Sequence, residues 1–310
     1  MKFALSAVAL SVSLACACQF AAAAPTIMGS QSGAGNTATA EQSGFDPNAD
    51  VSIRITQTGN DNHVGGPGST TGGILQYGPG TRGILTVRQT GTGNNAGIVQ
   101  GVVGPLPQFV DITQTGTANT AVVRQEITSG TDIGVRQNGT GNTTSIEQAA
   151  GDTGIRVTQN GAHNSATVVD LGTSMFIGPV IEQNGEGNTV SATALDIGFG
   201  EHTITQAGQR NLAITHQDTG SLLELSIQQL GAGNQAEISQ SGDGESATIN
   251  QNGNSNVANI IQSGVASFLN TALITQIGNT NYATIRQVGD GFTTTVSQTG
   301  SRNDSSIYQH

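Results

Sequence analysis

Apolar and polar residues alternate along most of this chain, and the alternation carries a phase. Positions two apart on a strand share a face, and Ile53, Ile55 and Gln57 are spaced in this way, as are Leu85, Val87 and Gln89. Val110, Ile112 and Gln114 repeat the spacing, followed by Ile155, Val157 and Gln159. A second set runs Asn94, Ala96, Ile98, Gln100, then Asn119, Ala121, Val123, Gln125, and later Asn256, Ala258, Ile260, Gln262. Both sets predict strands whose inner face is aliphatic and amide. The alternate positions hold Thr56, Arg88, Thr113, Arg136, Thr158, Glu182 and Asn250, which suit water.

The two strand types belong to one recurring unit, Gln-x-Gly-x-x-Asn, usually followed by x-Ala-x-Ile/Val-x-Gln. Units start at Gln31, Gln57, Gln89, Gln114, Gln137, Gln159, Gln183, Gln206, Gln229, Gln251, Gln276 and Gln298, at steps of 22 to 32 residues. A repeat of this length is the signature of a solenoid. Each unit predicts strand, turn, strand, turn, with the inner glycine at the reversal: Gly59, Gly91, Gly116, Gly139, Gly161, Gly185, Gly208, Gly231, Gly253, Gly278 and Gly300. A second glycine closes most units, at Gly44, Gly130, Gly151, Gly220, Gly242, Gly264 and Gly289. The fold predicted is all-β: a flattened β-solenoid of about 12 strand-turn-strand rungs that form two parallel in-register sheets, cross-β when assembled.

Burying an unpaired amide costs about 1–3 kcal/mol, so the inward Gln and Asn residues need partners. Rungs about 4.7–4.9 Å apart place the same residue above and below each amide, which can then donate to the next rung and accept from the previous one. The predicted ladder comprises Gln57, Asn62, Gln89, Asn94, Gln100, Gln114, Asn119, Gln125, Gln137, Asn142, Gln148, Gln159, Asn164, Gln183 and Asn188. It continues through Gln206, Asn211, Gln217, Gln229, Asn234, Gln240, Gln251, Asn256, Gln262, Gln276, Asn281, Gln287, Gln298, Asn303 and Gln309. Asp170 and Ala194 replace the second glutamine of their units, which breaks that column in mid-stack. Residues 63–80 and the Pro105/Pro107 segment read as loops that bulge outside the rungs, since proline cannot donate to a ladder.

Composition narrows the class. Charged residues make up 10%, aromatics 4%, tryptophan is absent and 44 residues are glycine, which is poor material for one thick core. Residues 1–23 read as a secretory signal: Lys2, an apolar run to Leu14, then small residues at 21–24. Cleavage after Ala23 leaves a short segment, 24–30, ahead of the repeat region 31–310, and removes Cys16 and Cys18, the only cysteines. The mature chain would then hold 9 Arg against 21 acidic residues, a balance that argues against nucleic acid or anionic membrane as partner. No transmembrane segment is expected in it, no cofactor or metal, and no enzymatic activity. Acidic residues read as scattered over turns and outer faces, with Asp61, Asp152, Asp243 and Asp290 keeping the unfolded chain soluble. The histidines His63, His163, His202, His216 and His310 read as surface residues.

The unit resembles the curlin repeat of curli fibre subunits, Ser-x5-Gln-x-Gly-x-x-Asn-x-Ala-x3-Gln. Gln229, Gly231, Asn234, Ala236 and Gln240 match its last five fixed positions, and the units at Gln251, Gln276, Gln89 and Gln114 match likewise. The leading serine is replaced, by Val51, Gly83 and Gln108 for example. The resemblance spans 31–309 and implies a secreted subunit, of the major type, that self-assembles into extracellular amyloid fibres of the biofilm matrix and supports adhesion and cell aggregation. It implies as partners further copies of the chain, a nucleator subunit and the outer-membrane curli secretion pore, and a cell-surface fimbrium as location. The alternatives are a minor nucleator subunit, or a monomeric solenoid that binds ice or carbohydrate.

Overall fold

The computed structural model describes residues 2–6, 25–65, 73–102, 106–128, 130–149, 154–171, 178–195, 200–264 and 269–310. The chain divides into two units, residues 1–149 and 150–310. Among the described residues there is no helix. Most of the sequence read as a secretory signal lies outside them, as do Pro105, Gly151 and Asp152.

The first unit contains β1 (Lys2–Ser6), β2 (Thr26–Ser32), β3 (Thr37–Ser43), β4 (Asp50–Asn60), β5 (His63–Val64), β6 (Ile74–Tyr77), β7 (Arg82–Thr92), β8 (Asn95–Val102), β9 (Gln108–Thr117), β10 (Thr120–Thr128), β11 (Asp132–Thr140) and β12 (Thr143–Gln148). One sheet runs β2-β4-β7-β9-β11; the other runs β3, then β5 and β6 side by side in one rung, then β8-β10-β12. All of these pair in parallel. The backbone of β1 pairs antiparallel with β3 at the edge of the second sheet.

The second unit contains β13 (Gly154–Ala162), β14 (Ser165–Asp170), β15 (Val180–Glu186), β16 (Thr189–Ala194), β17 (Gly200–Gln209), β18 (Leu212–Gln217), β19 (Leu223–Ala232), β20 (Gln235–Ser241), β21 (Glu245–Asn254), β22 (Val257–Ser263), β23 (Asn270–Asn279), β24 (Tyr282–Val288), β25 (Thr293–Ser301) and β26 (Asp304–Gln309). Odd-numbered strands form one parallel sheet and even-numbered strands the other. Each unit is thus a β-solenoid, of five rungs in the first and seven in the second.

Register is kept to the residue. Gln57 pairs with Gln89, Gln89 with Gln114 and Gln114 with Gln137, while Gln159, Gln183, Gln206, Gln229, Gln251, Gln276 and Gln298 line up in the same way. The inner faces of the two sheets meet in a thin core of Ile53, Ile55, Leu85, Val87, Ala96 and Ile98 and their equivalents, all buried. Each such Ile, Leu or Val contributes about 1.5–3 kcal/mol. Because the rung is two strands thick, every second residue reaches that core, which is why small and β-branched side chains suffice without tryptophan.

Two expectations are corrected by the backbone. The 63–80 insertion does not lie wholly outside the rungs: Ile74–Tyr77 forms β6, which with β5 makes up the second arm of the rung begun by β4. The inner glycine does not itself reverse the chain either. Gly59 and its equivalents are the last but one residue of a strand or lie close to it, with φ of +105° to +133°, and the reversal comes two residues later. At that later position, directly before the Asn, φ is left-handed in all twelve units, held by Gly35, Asp61, Gly93, Ala118, Gly141, His163, Gly187, Arg210, Gly233, Ser255, Thr280 and Arg302.

Candidate functional site

The feature that recurs through both units is the set of amide columns. Every predicted ladder residue lies in one, and nearly all are buried to within a few per cent of complete. In the first glutamine column, Nε2 of Gln57 donates to Oε1 of Gln89 at 2.9 Å, Gln89 to Gln114 at 2.8 Å and Gln114 to Gln137 at 2.8 Å. In the second unit the chain of donation runs Gln159, Gln183, Gln206, Gln229, Gln251, Gln276, Gln298 at 2.8–2.9 Å. The other Nε2 hydrogen crosses to the opposite sheet of the preceding rung: Gln229 donates to Leu212 O at 2.9 Å and Gln298 to Tyr282 O at 2.8 Å. One side chain therefore ties three consecutive rungs and two sheets together.

The second glutamine column donates in the same direction, Gln100 to Gln125 at 2.7 Å and Gln125 to Gln148 at 3.1 Å. In the second unit it runs from Gln217 through Gln240, Gln262 and Gln287 to Gln309 at 2.9–3.1 Å. Asp170 and Ala194 hold the equivalent places on β14 and β16; both are buried, and Ala194 packs against Leu223.

The asparagine column runs the other way. Nδ2 of Asn94 donates back to Oδ1 of Asn62 at 2.9 Å, Asn119 to Asn94 at 3.0 Å and Asn142 to Asn119 at 3.0 Å. Asn188, Asn211, Asn234, Asn256, Asn281 and Asn303 each donate to the asparagine before, from Asn164 onward, at 2.9–3.1 Å. The same Nδ2 also reaches forward to the glycine carbonyl of the next rung, as in Asn119 to Gly139 at 2.9 Å and Asn234 to Gly253 at 2.8 Å. Each asparagine so placed joins three consecutive rungs. The expected direction of donation thus holds for glutamine and is reversed for asparagine, because the asparagine amide must also meet that forward carbonyl.

Glycine closes the geometry. A Cβ on Gly231 would lie 2.0 Å from Gly253 O, and one on Gly116 2.1 Å from Gly139 O. At these rungs there is room for no other residue, over and above the positive φ, whereas at Gly300 on the last rung the nearest atom would be 3.8 Å away and only the φ of +105° favours glycine.

Residues outside the expected set join the columns. Gln31 donates to Gln57 at 2.5 Å, Gln42 to Gln76 at 2.7 Å and Gln76 to Gln100 at 2.8 Å, and Asn36 accepts from Asn62 at 3.1 Å. Gln76 escaped the sequence reading because the insertion displaces it from the regular spacing. His202, expected at the surface, is buried: it lies four residues before Gln206, on the inner face of β17. Thr215 Oγ1 is 2.7 Å from its Nε2, and burial lowers its pKa to about 4. Acidic residues are not all dispersed, since Glu201 and Glu224 stand in register on neighbouring rungs.

Neutral amides in continuous columns supply no nucleophile or titrating base; what they supply is an interface that repeats. Among the described residues no three His, Cys, Asp or Glu side chains gather as metal ligands, and no helix is long and apolar enough to cross a membrane. A search of curated proteins finds no match. The family model of the curlin associated repeat matches residues 231–264 and 270–300, where both glutamine columns and the asparagine column run unbroken, so this stretch of the chain is similar to the curlin repeat.

Proposed function

We propose that the chain is a secreted structural subunit that polymerises, rung upon rung, into curli-like extracellular amyloid fibres of a biofilm matrix, where the fibre supports adhesion and cell aggregation. The observation that carries this reading is the equivalence of the rungs. Each glutamine offers the following rung the same donor that it receives from the preceding one, so a rung of another copy is chemically equivalent to a rung of the same chain. Parallel in-register stacking with continuous amide ladders is the interaction that gives cross-β fibres their stability, and added strands at a sheet edge are a general mode of association. The match to the curlin associated repeat supports the same reading. On it, the partners are other copies of the chain, a surface nucleator and an outer-membrane secretion pore, and the location is a cell-surface fimbrium.

The test is polymerisation of purified protein released from denaturant, followed by thioflavin-T fluorescence and fibre diffraction. The expected result is a lag phase abolished by preformed seeds and a meridional reflection near ~4.7 Å. A chain that folds and stays monomeric for days would refute the proposal and favour a solenoid that binds a ligand on its outer face.

A further inference from the structure

The position six residues before the first glutamine forms an inner column that is not uniform. It holds Val51, Gln108 and Thr131 in the first unit and Leu223, Glu245 and Asn270 in the second, all buried. Glu245, the first residue of β21, is in register with Asn270, the first of β23. Its Oε2 accepts the Ser241 N–H at 3.2 Å, whereas Oε1 is buried with no hydrogen-bond partner among the described residues. Asn270 is itself held in place: Nδ2 donates one hydrogen to Gly289 O at 2.7 Å and Oδ1 accepts the Phe292 N–H at 3.0 Å.

A second carboxyl group faces the same spot. A Cβ on Gly264 would lie 3.1 Å from Glu245 Oε1, 2.9 Å from Asp290 Oδ1 and 3.0 Å from Asn270 Nδ2. The missing side chain of Gly264 is the space into which both carboxyls point. Other charged groups nearby are engaged elsewhere. Asp243 accepts the Ser221 N–H, Asp218 accepts the Thr219 N–H, and Arg286 of β24 lies over the Tyr308 ring at 5.2 Å.

We infer that Glu245, Asn270 and Asp290 form a proton-operated latch that holds the turns before β21 and β25 together at Asn270 when Glu245 carries its proton and releases them when it ionises. A protonated Oε1 is a donor aimed at the space shared with Asp290. An ionised one sets two carboxylates face to face in a desolvated pocket, which is costly. The titration agrees: burial raises the Glu245 pKa from 4.5 to about 7, Asp290 adds to the rise, and the Gly264 and Ser241 N–H groups and the Asn270 amide offset part of it. With the folded pKa above the unfolded one, the closed turns lose stability as pH rises through 4.5 to 7, and the loss levels off above that.

Hydrogen exchange of the full chain, read by mass spectrometry and corrected for the intrinsic rate, tests the latch. Peptides over 241–250 and 286–296 are expected to be about 30-fold less protected at pH 8 than at pH 5.5, while peptides over 223–232 stay unchanged. In Glu245→Gln, whose amide keeps the donor without the charge, protection should be equal at both pH values. A wild type with no such difference, or an E245Q variant that retains it, overturns the proposal. Should E245Q disturb the fold elsewhere, carbon-13 NMR titration of the wild-type glutamate carboxyls decides: a midpoint near 7 supports the latch and its absence overturns it. The readout is local opening, so it is independent of whether the chain forms fibres.

Discussion

Removing one asparagine from the column measures how much the amide ladders stabilise the stack. Asn234 makes five side-chain hydrogen bonds: Nδ2 donates to Asn211 Oδ1 at 3.1 Å, Leu230 O at 3.2 Å and Gly253 O at 2.8 Å, and Oδ1 accepts the Asn256 N–H at 3.1 Å and its Nδ2 at 3.0 Å. In Asn234→Ala, Asn211 Oδ1 keeps the backbone N–H of residue 234, at 3.1 Å in the native chain, and Asn256 Nδ2 keeps Gly278 O at 2.8 Å. The Asn256 N–H is left buried without an acceptor, at about 1–3 kcal/mol, and the remaining lost bonds add about 0.5–1.5 kcal/mol each. Because two Nδ2 hydrogens are shared among three acceptors, the expected cost is the lower part of that sum, about 3–5 kcal/mol, or about 10²- to 5 × 10³-fold in local opening.

A solenoid couples mainly nearest neighbours, so the loss should concentrate in the rungs of β19 to β22 and be read by hydrogen exchange of peptides over 229–263. Asn252→Ala, at an outward and exposed place on the next rung, should change protection by less than about 0.5 kcal/mol. Asn234→Asp adds a signature that a cavity cannot imitate. Its carboxylate still accepts from Asn256 but faces three acceptors within 3.2 Å, so it should be as damaging as alanine at pH 7 and partly recover on protonation in acid. A loss below about 1 kcal/mol in N234A, or equal effects of N234A and N252A, would refute the ladder as a source of stability.

Gly231→Ala should prevent that rung from closing, since the new Cβ lies 2.0 Å from Gly253 O; loss of protection over 223–241 and slower seeded growth would register it, and wild-type behaviour would contradict the packing. Thr280 is an exposed β-branched residue at φ +57°, so Thr280→Gly should raise the urea midpoint by the equivalent of about 0.5–1 kcal/mol, the left-handed penalty less the chain entropy of glycine. His202, with its folded pKa lowered to about 4 by burial, contributes stability that is present above the unfolded pKa of about 6.5 and is lost on acidification toward 4, by about 1.4 kcal/mol per unit. Unfolding of Glu245→Gln, which removes the opposing slope, should show this loss between pH 6.5 and 4, and the double variant with His202→Leu should not.

Sequence shows which column a residue joins wherever translational repetition decides the matter. Parity relative to the first glutamine placed Ile53 and Val87 inward, and parity relative to the asparagine placed Ala121 and Ile260 inward, because a slip by one residue would turn every side chain to the wrong face. His202 was legible by the same rule, four places before Gln206, and was misplaced only when judged by residue type. Direction was not legible. Whether an amide donates up or down the stack depends on its second acceptor, the Leu212 carbonyl for Gln229 and the Gly253 carbonyl for Asn234, and those acceptors exist only once the turn is built. The left-handed residue before each asparagine was hidden too: Asp61, Ala118, Arg210 and Thr280 occupy it as well as glycine, so composition carries no mark of a strain that the flanking ladders impose. Glu245 marks the limit of the argument from repetition. Its register partner is Asn270 and its opposing group is Asp290, unlike residues for which a repeat predicts nothing, and the stack's local chemistry departs there from its symmetry.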